Sequence, residues 1–106
     1  MAENSLDHSL FHVVIRDQSK LIGMGRIIGD GFMYFYVQDL VVDPDYQKQG
    51  IGNALMAQIE NYLFASAKRG STIGLLAAKG KEGFYTRFGY MTRPNDSLGN
   101  GMCKFA

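Results

Sequence analysis

This chain of 106 residues has a single cysteine, no tryptophan and two prolines. A lone cysteine, Cys103, cannot form an internal disulfide or hold a zinc ion by itself, which favours a reducing compartment. Long apolar runs are missing too, since the longest spans residues 32–37 and a bilayer needs roughly 20. The first four residues carry neither the basic nor the apolar region of a signal peptide. We therefore expect a cytoplasmic protein that does not span or bind a membrane.

Excess charge of one sign is also lacking, because the formal net charge is only +1. A nucleic-acid-binding domain usually carries a strong basic excess with interleaved aromatic residues, so nucleic acid is not an expected partner. The charge is unevenly placed, however: residues 1–46 have seven acidic and three basic side chains, and residues 47–106 have three acidic and eight basic ones. This asymmetry favours a local anion site in the second half.

The composition is that of one soluble globular domain, with 46% apolar and 20% charged residues. We expect a single domain over residues 1–106. Glycine is the exception: the chain has 13 glycines, which is more than the average usage of about 7% predicts for this length. Some of these glycines should mark places where the backbone closely approaches another group.

The first half of the sequence predicts three strands and a long helix. Segments rich in Val, Ile and Phe, separated by turn signals, predict antiparallel strands at 10–16, 20–28 and 33–42. After Pro44, apolar residues recur at helical spacing until the stop signal Gly70. This spacing predicts an amphipathic helix of about five turns.

The second half predicts shorter elements. They are a strand at 72–78, a helix at 82–88, and strands at 90–93 and 102–105. The predicted fold class is therefore α/β, or α+β, with a mixed, mainly antiparallel sheet flanked by helices. Its element order is βββ-α-β-α-ββ.

The segment that leads from the third strand into the long helix has the features of a phosphate site. The first turn of a helix presents N–H groups without intrahelical partners and the positive end of the helix dipole. Gly50 and Gly52 have no Cβ, so phosphate oxygens can reach the backbone, and Lys48 can add positive charge. An ordinary helix-entry turn is the alternative, but the flanking strand and helix favour the phosphate site.

The same residues resemble a known family. The motif Gln47-x-x-Gly50-x-Gly52 is similar to the Gln/Arg-x-x-Gly-x-Gly/Ala pyrophosphate loop of the GNAT acetyltransferase superfamily. Residues 40–44 match the family's apolar-x-apolar-x-Pro strand end, and residues 84–90 match its Phe-Tyr-x-x-x-Gly-Phe/Tyr segment. The glycine-rich hairpin is similar to that of a small bacterial subgroup. The resemblance covers about residues 9–106 and implies a GNAT-like fold.

The resemblance implies an acetyl-CoA-dependent N-acetyltransferase that acts on a primary amine of an unidentified small molecule or peptide. The backbone of Leu40, Val41 and Val42 would pair with the pantetheine arm of acetyl-CoA. The backbone amides that would hold the pyrophosphate are those of Gln47, Lys48, Gln49, Gly50, Ile51 and Gly52. Tyr85 would protonate the departing thiolate, and a backbone N–H near Val42 would polarise the thioester carbonyl. For Tyr85 the alternative is a packed core tyrosine.

The general base is not evident from the sequence. Relatives often have a Glu or His on the third strand at positions that correspond to Tyr36 or Gln38, and neither residue is a good base. Asp39 is the nearest carboxylate, but strand alternation predicts that it points to the opposite face. We therefore expect the amine to lose its proton through water, or the acceptor to have a low pKa.

Other polar residues support no further site. His8 and His12 lie four apart, but in a predicted strand and without a third ligand, so no metal site is expected. The glycines of the first hairpin have the wrong spacing for a dinucleotide fingerprint and predict close packing instead. Arg26 and Asp30 are expected to form an ion pair rather than to contact substrate.

The family pattern begins with a strand and two helices before the segment that matches residues 10–16, and nine residues precede that segment here. We expect a truncated GNAT domain that either borrows a partner's surface or binds acetyl-CoA without efficient transfer. Apolar surface that those helices would cover predicts a homodimer. The alternative function is a non-catalytic acyl-CoA-binding or interaction module derived from a GNAT domain.

Overall fold

The computed structural model describes residues 9–106. The chain divides into two compact units, one up to Leu76 and one from Ala77 onward. The elements of the first unit are β1 (Phe11–Asp17), β2 (Lys20–Gly29), β3 (Tyr34–Val42), α1 (Ile51–Ser66) and β4 (Thr72–Leu75). The second unit contains α2 (Glu82–Thr86).

The sheet has the strand order β1-β2-β3-β4. The pairs β1–β2 and β2–β3 are antiparallel hairpins, whereas β4 returns through α1 and pairs with β3 in parallel. A parallel neighbour requires such a crossover because its chain must be carried back to the same end of the sheet. The expected α/β class with a mainly antiparallel sheet is confirmed.

The two predicted C-terminal strands are wrong. Within the described residues the chain after α2 has no strand at 90–93 or 102–105, so the observed order is βββ-α-β-α. Between these two segments the chain forms a turn: the N–H of Asn95 donates to the carbonyl of Leu98 at 2.9 Å, and the N–H groups of Ser97 and Leu98 donate to the Asn95 side chain at 3.0 Å. Asn, Asp and Ser favour such local bonds over ladder formation.

Three other elements end earlier than predicted. The long helix ends at Ser66, β4 ends at Leu75, and α2 ends at Thr86. Helix α1 stops because Ala67 is extended, and the next N–H, of Lys68, donates to the Ser71 hydroxyl at 2.9 Å. A serine side chain that accepts a backbone N–H in this way competes with continuation of the helix.

The core lies between α1 and one face of the sheet. The helix contributes a buried stripe at the expected spacing of three to four residues, made of Leu55, Met56, Ile59 and Leu63. The sheet contributes the buried side chains of Ile27, Phe35 and Val37. At the edge, the rings of Phe11 and Tyr62 stack with centroids 4.8 Å apart.

Two glycines of β2 lie directly beneath the helix. A Cβ placed on Gly23 would lie 3.0 Å from Cγ2 of Ile51, and one placed on Gly25 would lie 3.0 Å from Cδ1 of Ile59. Both distances are tighter than ordinary carbon contacts of about 3.5–4.0 Å. The glycines therefore let α1 pack close to the sheet, as the sequence predicts for this hairpin, and they seat the first residue of the helix, Ile51.

We expect Gly25→Ala to lower the free energy of unfolding by about 1–3 kcal/mol, because overpacking must displace Leu40 and Ile59. Gly74→Ala is the matched control, since a Cβ there would lie 3.9 Å from the nearest ring atom of Tyr36. Urea unfolding of both variants measures the difference. Equal stability of the two variants would contradict close packing at Gly25.

Candidate functional site

Among residues 9–106, no strand pairs with the C-terminal part of β3 on the side where β4 lies. Pairing between β3 and β4 runs from Tyr34–Thr72 to Val37–Leu75 and goes no further. On the other side, Val42 lies directly opposite Gly23, and the N–H of Asp43 donates to the carbonyl of Ile22 at 2.8 Å. In an antiparallel ladder this arrangement turns the N–H and C=O of Val42 away from β2. The strand therefore presents the N–H of Val42 where β4 has ended, whereas the C=O of Val42 accepts from the side chain of Gln47.

A β-bulge interrupts β3 just before this open edge. Met24 pairs with Val41 and Arg26 pairs with Gln38, so Asp39 and Leu40 together lie opposite Gly25. Asp39 has a left-handed conformation with φ 57°. Bulges of this kind bend the strand and re-aim its side chains, and Asp is one of the few residues that tolerates a left-handed φ.

The bulge corrects the expected orientation of Asp39. Its Oδ2 accepts from Nε of Arg26 at 2.7 Å, and Arg26 shares the sheet face of its register partner Gln38. Simple alternation is therefore wrong here, because the left-handed residue breaks the period of two. The guanidinium is largely buried, with 11% of the side chain exposed, whereas 46% of the Asp39 side chain is exposed. Arg26 also donates to Oγ of Ser9 at 3.3 Å.

The expected Arg26–Asp30 pair is wrong as well. Oδ1 of Asp30 instead accepts the backbone N–H groups of the β2–β3 turn, from Phe32, Met33 and Tyr34, at 2.8–3.0 Å. These bonds, first that of Tyr34, lower the pKa of Asp30 because they stabilise its charged form. Asp30 therefore organises the β2–β3 turn, which lies at the opposite end of β3 from the unpaired edge at residues 40–42.

The loop between β3 and α1 has the backbone geometry of an anion site. A 3-10 turn at Pro44–Tyr46 leads to Gln47, and Lys48 and Gly50 then have φ values of 64° and 83°. Alternation of right- and left-handed residues can form a concave group of backbone N–H donors that binds anions. A Cβ on Gly50 would meet no atom of residues 9–106 within 4 Å, so among these residues the space beside it is open.

The cap and first turn of α1, within the described residues, carry no side chain that would offset the positive end of the helix dipole. Its N-cap, Gly50, offers no side-chain hydrogen bond, and the first turn contains no acidic residue. The first N–H groups of a helix have no intrahelical acceptor, and the helix dipole places partial positive charge there. The side chain of Gln47 bridges from the loop to the strand, since Nε2 donates to the carbonyl of Val42 at 3.3 Å. The geometry therefore brings the predicted pyrophosphate residues 47–52 next to the open strand edge at 40–42.

Tyr85 lies in the second unit, on α2, and is half-buried. Its ring makes edge contacts with Phe84 at 5.1 Å and Tyr90 at 6.3 Å between centroids. Burial raises the pKa of Tyr85, so the hydroxyl stays protonated at neutral pH. A protonated phenol is the form that a proton donor needs, and its role as general acid stays a prediction.

Between residues 9 and 106, no three His, Cys, Asp or Glu side chains come together as a possible metal site. His8 lies outside the described residues. In that same part of the chain no helix has the length and apolar character of a membrane span.

The chain belongs to the GNAT acetyltransferase family. The family model described as "Acetyltransferase (GNAT) domain" matches residues 7–92. Among solved structures, a probable acetyltransferase from meticillin-resistant Staphylococcus aureus has a TM-score of 0.86 and 35% identity, over 97% of this chain and 77% of that one. A GNAT family protein from Streptococcus pneumoniae has a TM-score of 0.79 and 32% identity, and the match covers 100% of this chain and 78% of that one.

Curated relatives are longer proteins. The uncharacterized N-acetyltransferase ycf52 of Gracilaria tenuistipitata var. liui is 37% identical over 79 residues, which are 74% of this chain and 42% of that protein. The chloroplastic GCN5-related N-acetyltransferase 2 of Arabidopsis thaliana is 34% identical over 85 residues, which are 79% of this chain and 32% of that protein. The chain thus spans less than half the length of these relatives. Its expected cytoplasmic location stays a prediction.

Proposed function

We propose that the chain is an N-acetyltransferase that moves an acetyl group from acetyl-CoA to a primary amine of a small molecule or peptide. The observation that carries this proposal is one continuous segment of the described residues, in which a strand end without a β4 partner leads to a helix whose cap and first turn hold no acidic side chain. Acetyl-CoA has the matching chemistry, since its pantetheine arm contains amides and its pyrophosphate is anionic. Membership of the GNAT family supports the same assignment.

The two parts of the junction would hold different parts of the cosubstrate. The backbone of Leu40, Val41 and Val42 would pair with the pantetheine amides in the manner of an added strand. The N–H groups of residues 47–52 would surround the pyrophosphate, and Lys48 would add charge from the rim. Since these interactions are made by the backbone, the site depends on loop conformation more than on side-chain identity.

Transfer is proposed to occur by direct attack of the amine on the thioester carbonyl. The outward N–H of Val42 donates to the carbonyl oxygen and stabilises negative charge that develops there. The C–N bond forms, the C–S bond breaks, and Tyr85 donates its phenolic proton to the departing sulfur. The proton of the amine leaves through water, because Asp39, the carboxylate beside this edge, is engaged by Arg26.

Gly50→Asp is expected to abolish the rise in melting temperature that CoA gives the wild type. A carboxylate would enter the open space beside residue 50 and repel phosphate, whereas Asp tolerates the left-handed φ. Gly50→Asn is the matched control, since it has the same shape without the charge and should retain part of the shift. Thermal melts with and without CoA make the measurement, and an unchanged shift in Gly50→Asp would place the pyrophosphate elsewhere.

Tyr85→Phe is expected to lower kcat by a factor of about 10²–10⁴ with a smaller change in KM for acetyl-CoA. The substitution keeps the ring that packs on Phe84 and Tyr90 and removes only the proton donor. Release of free CoA thiol from acetyl-CoA with a panel of amines gives both constants. If wild type and Tyr85→Phe have the same kcat, Tyr85 has only a packing role. If the wild type binds CoA but releases no thiol from acetyl-CoA, the chain is an acyl-CoA-binding module instead.

A homodimer is part of the proposal. On the sheet face away from α1, Val14, Met24 and Val41 form an apolar row in register, and Val14 and Val41 are 40% and 55% exposed. Association would remove this row from water at a gain of about 25 cal/mol per Å². Sedimentation velocity at micromolar concentration should therefore give twice the chain mass, and a monomer at that concentration would contradict the dimer.

A further inference from the structure

The tip of the β1–β2 hairpin contacts the turn that precedes the proposed pyrophosphate loop. The hydroxyl of Tyr46 donates to Oδ2 of Asp17 at 2.7 Å. Nζ of Lys20 lies 3.6 Å from Oδ2 of Asp43 and 5.4 Å from the centroid of the Tyr46 ring. We call these four residues the hairpin clamp. Asp17 and Lys20 are register partners, so one tight turn supplies both sides of the contact.

The hairpin clamp fixes the N-terminal end of the loop. Asp43 donates its backbone N–H to Ile22 at 2.8 Å and accepts the N–H of Asp45 on its side chain at 2.9 Å. The carbonyl of Asp43 also accepts the N–H of Tyr46 at 2.9 Å. Tyr46 is thereby held through both its backbone and its side chain. The 3-10 turn cannot rotate without breaking contacts to β2 and to the hairpin tip.

The C-terminal end of the loop is fixed on the same strand. Ile51 begins α1 and packs over Gly23, one residue beyond Ile22. Between Tyr46 and Ile51 lie four exposed residues, 47–50. Two of them, Lys48 and Gly50, have left-handed φ values. A left-handed lysine is unfavourable on its own, so this conformation persists only where its surroundings impose it.

We propose that Tyr46 and Asp17 are positioning residues that hold the loop at 47–50 in its anion-binding conformation. This inference rests on the proposed function, because the ligand of the loop is the pyrophosphate of CoA. A single exposed hydrogen bond adds little to stability. Here, however, three contacts converge on one turn, and the two residues of the bond are 29 positions apart in sequence. Loss of the bond would act on loop conformation before it acts on the fold.

The electrostatics of the hairpin clamp agree with a standing hydrogen bond. Asp17 accepts from the hydroxyl of Tyr46 and, as a nearby negative charge, opposes its ionisation, which raises the pKa of Tyr46. The hydroxyl therefore remains a donor throughout the neutral range. Lys20 lies 3.6 Å from Oδ2 of Asp43 and offsets the charge of that one carboxylate.

The test uses ¹⁵N,¹³C-labelled protein titrated with CoA and, separately, with pantetheine, which lacks the pyrophosphate. In Tyr46→Phe we expect the Kd for CoA to rise about three- to tenfold, the range for loss of one net hydrogen bond. The Kd for pantetheine should not change. The Cα shift of Lys48 should move away from its left-handed value. Asp17→Ala should raise the Kd for CoA to the same extent. The double variant Asp17→Ala/Tyr46→Phe should bind CoA no more weakly than Tyr46→Phe alone.

Tyr34→Phe is the matched control, because Tyr34 is 64% exposed and, within residues 9–106, its hydroxyl makes no hydrogen bond. It should leave both affinities unchanged. Equal weakening of CoA and pantetheine, or unchanged CoA affinity in Tyr46→Phe and Asp17→Ala, would overturn the positioning role alone. Wild-type protein that fails to bind CoA would overturn the proposed function and, with it, this inference.

Discussion

Close contact between α1 and β2 is the constraint on which the first unit depends. Gly23 and Gly25 leave no side chain between the strand and the helix, so Ile51 and Ile59 approach the backbone itself. This contact fixes where the helix begins. Because a helix N-terminus acts on an anion only over the distance of its first turn, the starting point of α1 decides where a phosphate can bind. The core and the candidate site are therefore set by the same packing.

The second determinant is the end of pairing between β3 and β4. The bulge at Asp39 bends β3 after Gln38, and the parallel partner has already ended at Leu75. Arg26 holds the bulged residue by its carboxylate. The Arg26–Asp39 pair on one sheet face thus lies next to the part of β3 that has no β4 partner. The chain then runs from this part of β3 through the 3-10 turn into the loop at 47–50. Local irregularity in a sheet is a common basis for binding.

Much of this arrangement was predictable from the sequence. The three strands and the long helix have strong periodicity, and Gly50, Gly52 and Pro44 have a spacing that belongs to the family motif. These signals are local, because each depends on residues close together in the chain.

The features that were missed depend on tertiary context. The strands at 90–93 and 102–105 were predicted from short apolar runs, but no partner strand lies beside them in the described residues, and a turn at Asn95 separates them. The alternation of side chains along β3 also predicted the wrong sheet face for Asp39. The bulge adds one residue to the strand, and nothing in the amino-acid composition of the segment reveals it. An acidic residue within an otherwise apolar strand was the available signal, because Asp adopts a left-handed φ more readily than its neighbours. The partner of Arg26 could then have been sought on β3.

The proposed anion site would be made of backbone amides and would therefore have an unusual distribution of mutational sensitivity. Every residue type except proline supplies the same N–H group, so the exposed side chains of Gln49 and its neighbours can vary while the donors persist. Sensitivity is instead concentrated at positions that set the path of the chain, such as Gly50 with its φ of 83°. Backbone donors also do not titrate near neutral pH. The positive end of this site should therefore tolerate wide sequence drift and keep its charge across physiological conditions.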